Sequence, residues 1–379
     1  MTDMQTRTAV HSRESQLSQR WQACRRDQYR LSALSVAMQT GWGACFHLFF
    51  QVSTPTYLSI LITLFPVAAF FFAARFLAKN AGRAGESPLC GALGRPVGRT
   101  AEIVLSLTLL IDAQMSLSAF VSVASTLLPL LSRPMLSVMG AAVCFASLWN
   151  TNPFVLPRLG GWAFIPMLGA VLLSVLNLFP QGDAGHLFPL LGHGAPSILR
   201  GALFLCGGLG SACLPCLLPG SDMTARRGNE KGAKAFLPFL GAVLFGTLMA
   251  GMYAYLLPEP LLSEPDTPGV LMMLPAHLSS SIFFWNLYVC ALLFLFLLTC
   301  ACALSRSAIL LTGGRRRVSA PVKLLLCVAA VPPAAWLDVD VQAFFVRLFP
   351  WRAAPWALSL LMMGVSLGAR ALWKKRSVP

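Results

Sequence analysis

Apolar stretches alternate with short polar segments ten times along this chain. They cover residues 31–50, 55–78, 101–132, 135–149, 161–180, 196–219, 235–257, 281–304, 320–337 and 354–373. A helix of about 20 apolar residues crosses the roughly 30 Å hydrocarbon core of a bilayer. The pattern therefore predicts an all-α polytopic membrane protein of about ten transmembrane helices. The third stretch is longer than a bilayer requires and must tilt or project beyond it. The fourth is short and bounded by Pro134 and Pro153, which leaves its ends the least defined.

Composition agrees. Of the 379 residues, 56% are hydrophobic and 11% charged, where soluble domains carry roughly 25% charged residues. The net charge of +15 is concentrated in the segments between apolar runs, which argues against a nucleic-acid face and makes the bilayer the partner. Most of the eleven cysteines fall inside apolar spans, as small apolar residues rather than a disulfide framework.

Basic residues also orient the chain. With the N-terminus inside, the inner segments receive Arg75, Lys79, Arg83, Arg95, Arg99, Arg158, Arg226, Arg227, Lys231 and Lys234. They also receive Arg306, Arg315, Arg316, Arg317, Lys323 and the basic C-terminal end. Only Arg133, Arg200, Arg347 and Arg352 fall outside. This bias follows the positive-inside rule and predicts cytoplasmic termini. Residues 1–30 read as a basic cytoplasmic tail, 31–373 as one permease-like membrane domain, and 374–379 as a second cytoplasmic tail.

Ten spans divide into two fives, a first repeat at about 31–180 and a second at about 196–373. An odd number of spans per repeat inverts one half against the other. Span six contains Gly207-Gly208-Leu209-Gly210-Ser211, and span one contains Thr40-Gly41-Trp42-Gly43 at the corresponding place. Glycine disfavours a continuous helix, and paired interruptions in corresponding spans point to a midplane site built from broken helices. Close helix packing on small residues is the alternative. The candidate ligand-binding residues are Thr40, Gly41, Gly43, Gly207, Gly208, Gly210 and Ser211.

Span three carries the one acid deep within a span, Asp112. An intramembrane carboxyl is costly and points to function, here proton or ion coupling or ligand contact; a protonated acid bonded to a neighbouring helix is the structural alternative. Thr108, Asp112 and Ser116 share one face, and Gln114, Ser118, Ser122 and Ser125 form a stripe nearly opposite. Polar stripes on two sides predict a helix surrounded by protein. At the entrance of span eight, Ser279-Ser280-Ser281 and Asn286 are candidate caps or packing groups.

The run Phe188-Pro189-Leu190-Leu191-Gly192-His193-Gly194 before the interrupted sixth span, and Met272-Met273-Leu274-Pro275 before a later span and basic loop, resemble the B subunits of spore germinant receptors. These belong to the amino acid–polyamine–organocation permease superfamily. The resemblance covers most of the chain in layout. It implies a LeuT-like 5+5 inverted repeat with helices 1 and 6 broken, an amino acid-like nutrient as ligand, receptor partner subunits, and a bacterial inner membrane, cytoplasmic or of the spore. The chain departs from that family at Ser279-Ser280-Ser281, where a charged Glu-Arg-type pair is common.

No His-Glu-x-x-His motif, phosphate-binding loop or aspartate-rich pair is present, and the five histidines are dispersed. Cys213-Leu214-Pro215-Cys216 has ligand spacing but lacks the second pair of a zinc site. The chain is thus expected to be no enzyme and to carry no cofactor or metal. It is expected to sense a small nutrient in germination; a proton- or cation-coupled amino acid transporter and a non-binding membrane scaffold are the alternatives.

Overall fold

A computed structural model of the chain describes residues 27–39, 56–81, 87–149, 155–177, 179–187, 194–218, 232–256, 282–312, 319–331 and 350–376. These residues are nearly all helical, with no strand among them. Within them, every predicted span contains helix.

The first helix, α1, covers residues 27–39. Span two is α2 (Thr56–Ile62) and α3 (Leu64–Ala81), parted at Thr63. Pro66 cannot donate to the Ile62 carbonyl, so the turn tightens there. The Thr63 amide and hydroxyl both reach back to the Ile60 carbonyl, at 3.0 and 2.6 Å. A short helix, α4 (Pro88–Leu93), is capped by the Ser87 hydroxyl and turns at Gly94 into α5 (Arg95–Leu127). Gly94 has φ +86°, which glycine adopts without strain.

At 33 residues, α5 is about 50 Å long. It lies six residues N-terminal to the predicted span at its start and five at its end, because Pro96 starts it early and the Leu128–Ser132 turn ends it before Pro134. Then follow α6 (Arg133–Trp149) and α7 (Val155–Leu176).

Span six is α8 (Ala195–Leu205) and α9 (Gly210–Leu217), joined by a 3₁₀ turn over Cys206–Leu209. The glycine run thus tightens the helix without unwinding it. Gly207 and Gly208 are weak helix formers, and Pro215 withdraws an amide from the following turn. The remaining spans are α10 (Gly232–Leu256), α11 (Ile282–Leu311), α12 (Ala320–Ala330) and α13 (Ala353–Arg376), the last entered through a 3₁₀ turn at Pro350–Arg352.

Five of these segments are each long and apolar enough to cross a membrane: Tyr57–Ala81, Arg95–Ser125, Ala233–Leu256, Asn286–Leu311 and Ala353–Trp373. Large apolar side chains such as Phe65, Phe76, Leu361 and Val365 face outward, as a lipid-facing surface requires. At the centre, α5 and α11 pack along most of their length. One apolar core joins α3, α4, α9, α10 and α13 beside them, and another joins α5, α6, α11 and α12. Gln39 of α1, the turn at Cys206–Leu209 and the turn at Pro350–Arg352 meet α5 between these cores.

Candidate functional site

Asp112 lies 17 residues beyond Arg95, the first residue of α5, so about 26 Å along that helix and close to its middle. It is 2% exposed. A lone carboxylate there would lack any compensation for desolvation. Its partner is Arg352, 3% exposed, whose Nη2 stands 3.1 Å from Asp112 Oδ1. The contact is Coulombic rather than directional, since Oδ1 accepts no hydrogen bond among the described residues. That oxygen keeps an open lone pair for a further donor.

Arg352 also ties the surrounding elements together. Nη2 donates to the Gly207 carbonyl at 3.1 Å and to Gln39 Oε1 at 3.2 Å, and Nη1 donates to Met115 Sδ. Thus one side chain joins Gln39 of α1, the middle of α5 and the 3₁₀ turn of span six. The Gly207 carbonyl is the acceptor that a tightened turn offers, and a guanidinium satisfies it away from water. Carboxylate, amide oxygen, carbonyl and thioether together form a cation shell, filled here by a tethered cation.

A cavity opens at this pair, bordered by Met38, Gln39, Met115, Ser116, Ala119, Phe296 and Arg352. It has room for roughly one water molecule.

The sequence-derived candidates divide. Asp112 is at the centre, and Gly207 contributes its carbonyl. Gly208 is buried in the turn. Gly210 is there for packing: a Cβ on it would run into the indole of Trp356 on α13. Ser211 follows Gly210 in the first turn of α9. Thr40, Gly41 and Gly43 lie outside the described residues, as do Ser279-Ser280-Ser281. Asn286 is exposed on α11 and takes no part.

Both stripes of α5 meet protein. On one side Asp112 pairs with Arg352 from the turn before α13, and on the other Gln114 donates to the Ala329 carbonyl of α12 at 2.7 Å. Cys213 and Cys216 are buried, separate thiols, and Cys213 donates to the Phe70 carbonyl. Among the described residues no three His, Cys, Asp or Glu side chains gather as a metal site.

Arg352, Gln39 and Met115 were missed by the sequence reading. Arg352 counted there as an outer-loop charge. The available signal was the lone acid of the spans, which needs a counter-charge, and an arginine set between Pro350-Trp351 and Ala353-Ala354-Pro355 in apolar surroundings.

No family model matches the chain, and no curated protein matches it. Solved structures do. The manganese transporter of Eremococcus coleocola, in a histidine-to-alanine mutant, superposes with TM-score 0.62 at 15% identity, over 91% of this chain and 78% of the transporter. A glutamate-to-glutamine mutant of the same transporter superposes with TM-score 0.60 at 14% identity over the same shares. The chain is therefore a polytopic α-helical membrane protein with a membrane-transporter fold. These structural neighbours are transporters, not enzymes.

Proposed function

We propose that this chain binds a small zwitterionic nutrient of the amino acid class at the Asp112–Arg352 pair. One observation carries the proposal: a buried carboxylate and a buried guanidinium face each other beside a small cavity. A zwitterion carries the complementary charges. Its carboxylate replaces Asp112 on the arginine fork, a bidentate match. Its ammonium takes the open lone pair of Asp112 Oδ1 and the Gly207 carbonyl that Arg352 gives up. One internal pair is exchanged for two charge-assisted contacts, with no charge left bare in the low-dielectric interior.

The same pair argues against carrying over the neighbour's manganese. A divalent cation placed in this shell would meet the guanidinium at contact distance, a repulsion that low dielectric amplifies. Arg352 would have to leave first.

Because the cavity holds only about one water molecule, binding requires a second arrangement in which Arg352 withdraws from Asp112 or Gly207. A ligand that prefers that arrangement shifts the population toward it. In a LeuT-like inverted repeat, the glycine interruptions of spans one and six would be the moving parts. The transporter fold of the neighbours supports alternating access, as a secondary transporter. The germinant-receptor resemblance supports a finer alternative, in which occupancy signals to partner subunits in a bacterial inner membrane with both termini cytoplasmic.

The test is equilibrium binding of a ¹⁴C-labelled amino acid mixture to the full chain in lipid nanodiscs. Binding is expected for the native chain and lost in Arg352→Gln. No binding at any concentration up to the millimolar range rejects the proposal. Gradient-driven accumulation of the bound component in proteoliposomes then decides for transport over sensing.

A further inference from the structure

A second buried cation lies on the seam between α1 and α11, away from the site already described. Three pairs step down this seam in order. Gln39 and Phe296 both border the cavity at Arg352. Leu34 and Cys302 pack in one apolar cluster of the seam. Arg306 Nη2 donates to Ser32 Oγ at 2.7 Å. Residue numbers fall on α1 as they rise on α11, so the helices run antiparallel. Seven residues separate Gln39 from Ser32, about 10 Å along α1 at 1.5 Å per residue.

By sequence Arg306 counts among the inner-segment charges, yet it is 5% exposed, and among the described residues no carboxylate lies within ion-pair distance of it. The acid of that end of α1, Asp27, pairs with Arg30 at 3.8 Å. Among the described residues the one hydrogen bond of Arg306 is to the neutral Ser32 hydroxyl, and a guanidinium buried without a counter-charge is unfavourable in a protein interior. Ser32 and Ser35, both buried, add hydroxyl donors on the same face of α1. A guanidinium fork flanked by hydroxyls is the chemistry of a carboxylate site.

We infer that Arg306 is a second solute position, which takes the carboxylate of the zwitterion after Arg352 releases it. The step requires α1 to part from α11, breaking the Ser32–Arg306 hydrogen bond and exposing the guanidinium to the solute. Cys302 lies on the seam between the two positions. The inference rests on the zwitterion reading of the Asp112–Arg352 pair, and it adds a direction of travel, along the α1–α11 seam toward the C-terminal end of α11.

The experiment uses phenylglyoxal, which modifies arginine, on the full chain in nanodiscs, with modification resolved by peptide mass spectrometry. Sodium acetate at about ten times its dissociation constant is expected to slow modification of Arg306 about tenfold by mass action. Exposed Arg200 should be unaffected, and sodium chloride at equal concentration should not protect Arg306. Absence of acetate protection, equal protection by chloride, or an Arg306 that is never modified overturns the inference. Glycine protection at Arg352 is read in the same digest. Protection there without protection at Arg306 removes the inner position alone. Acetate protection at Arg306 without glycine protection at Arg352 leaves a carboxylate site and removes the zwitterion reading. Arg306→Lys should keep the acetate-dependent rise in Tm that Arg306→Gln loses.

Discussion

Arg352 reaches across the bundle from the turn before α13 to stand 3.1 Å from Asp112 in the middle of α5, with both side chains buried. On the way it accounts for the carbonyl of Gly207 and the amide oxygen of Gln39. A site, a helix distortion and the Gln39 side chain of α1 thus depend on one guanidinium.

Removing either charge alone should be more damaging than removing both. Asp112→Asn or Arg352→Gln leaves a buried charge uncompensated, for a loss of about 3–5 kcal/mol. The double variant should recover much of that loss in apparent stability, measured by thermal unfolding of the four proteins in one detergent. Losses that simply add would show the pair to be uncoupled.

Arg352→Ala should leave a vacant cation shell of Asp112, Gln39, Met115 and the Gly207 carbonyl. Free guanidinium ion, at millimolar concentration well below denaturing levels, is then expected to raise the Tm of this variant and not that of the native chain. Equal shifts in both proteins would mean that the shell does not recognise the cation.

Gly210 cannot be enlarged cheaply. Alanine there meets the indole of Trp356, and overpacking of a tight contact costs about 1–3 kcal/mol. Gly210→Ala should lower the Tm, and Trp356→Leu in the same chain should restore part of it. For that reason Gly210→Leu is a poor probe of ligand function, since it tests packing first.

Outside the spans, Cys90 of α4 offers a chemical readout. Burial pushes its thiol up from the ordinary range, and the nearby Glu102 carboxylate adds to the effect through charge and through the hydrogen bond it accepts from the thiol at 3.7 Å. The thiol is therefore protonated at pH 7. Alkylation by iodoacetamide should be slower than for a free cysteine and should still be rising above pH 9, since the thiolate is the nucleophile. Glu102→Gln should speed it at neutral pH. An alkylation profile already flat by pH 9 would contradict this placement.

Hydrophobic pattern and charge by themselves determined the class of protein and the helix at each of ten places. Length, apolarity and the proline and glycine positions are local properties, and lipid leaves a chain no alternative to satisfying its backbone within each helix. Asp112 was legible for the same reason, since an acid deep in an apolar run is conspicuous wherever the chain goes. The glycine run was legible as an interruption, but not as a 3₁₀ turn with Gly207 turned to Arg352 and Gly210 turned to Trp356. Those roles depend on which helix lies opposite, and span ten is far from span six in sequence. Arg352 was legible only as an arginine in apolar surroundings, not as the partner of Asp112. By position it belongs to a loop, and only the packing of α13 against span six and α5 turns it inward, where Coulomb attraction to Asp112 offsets the cost of burying it.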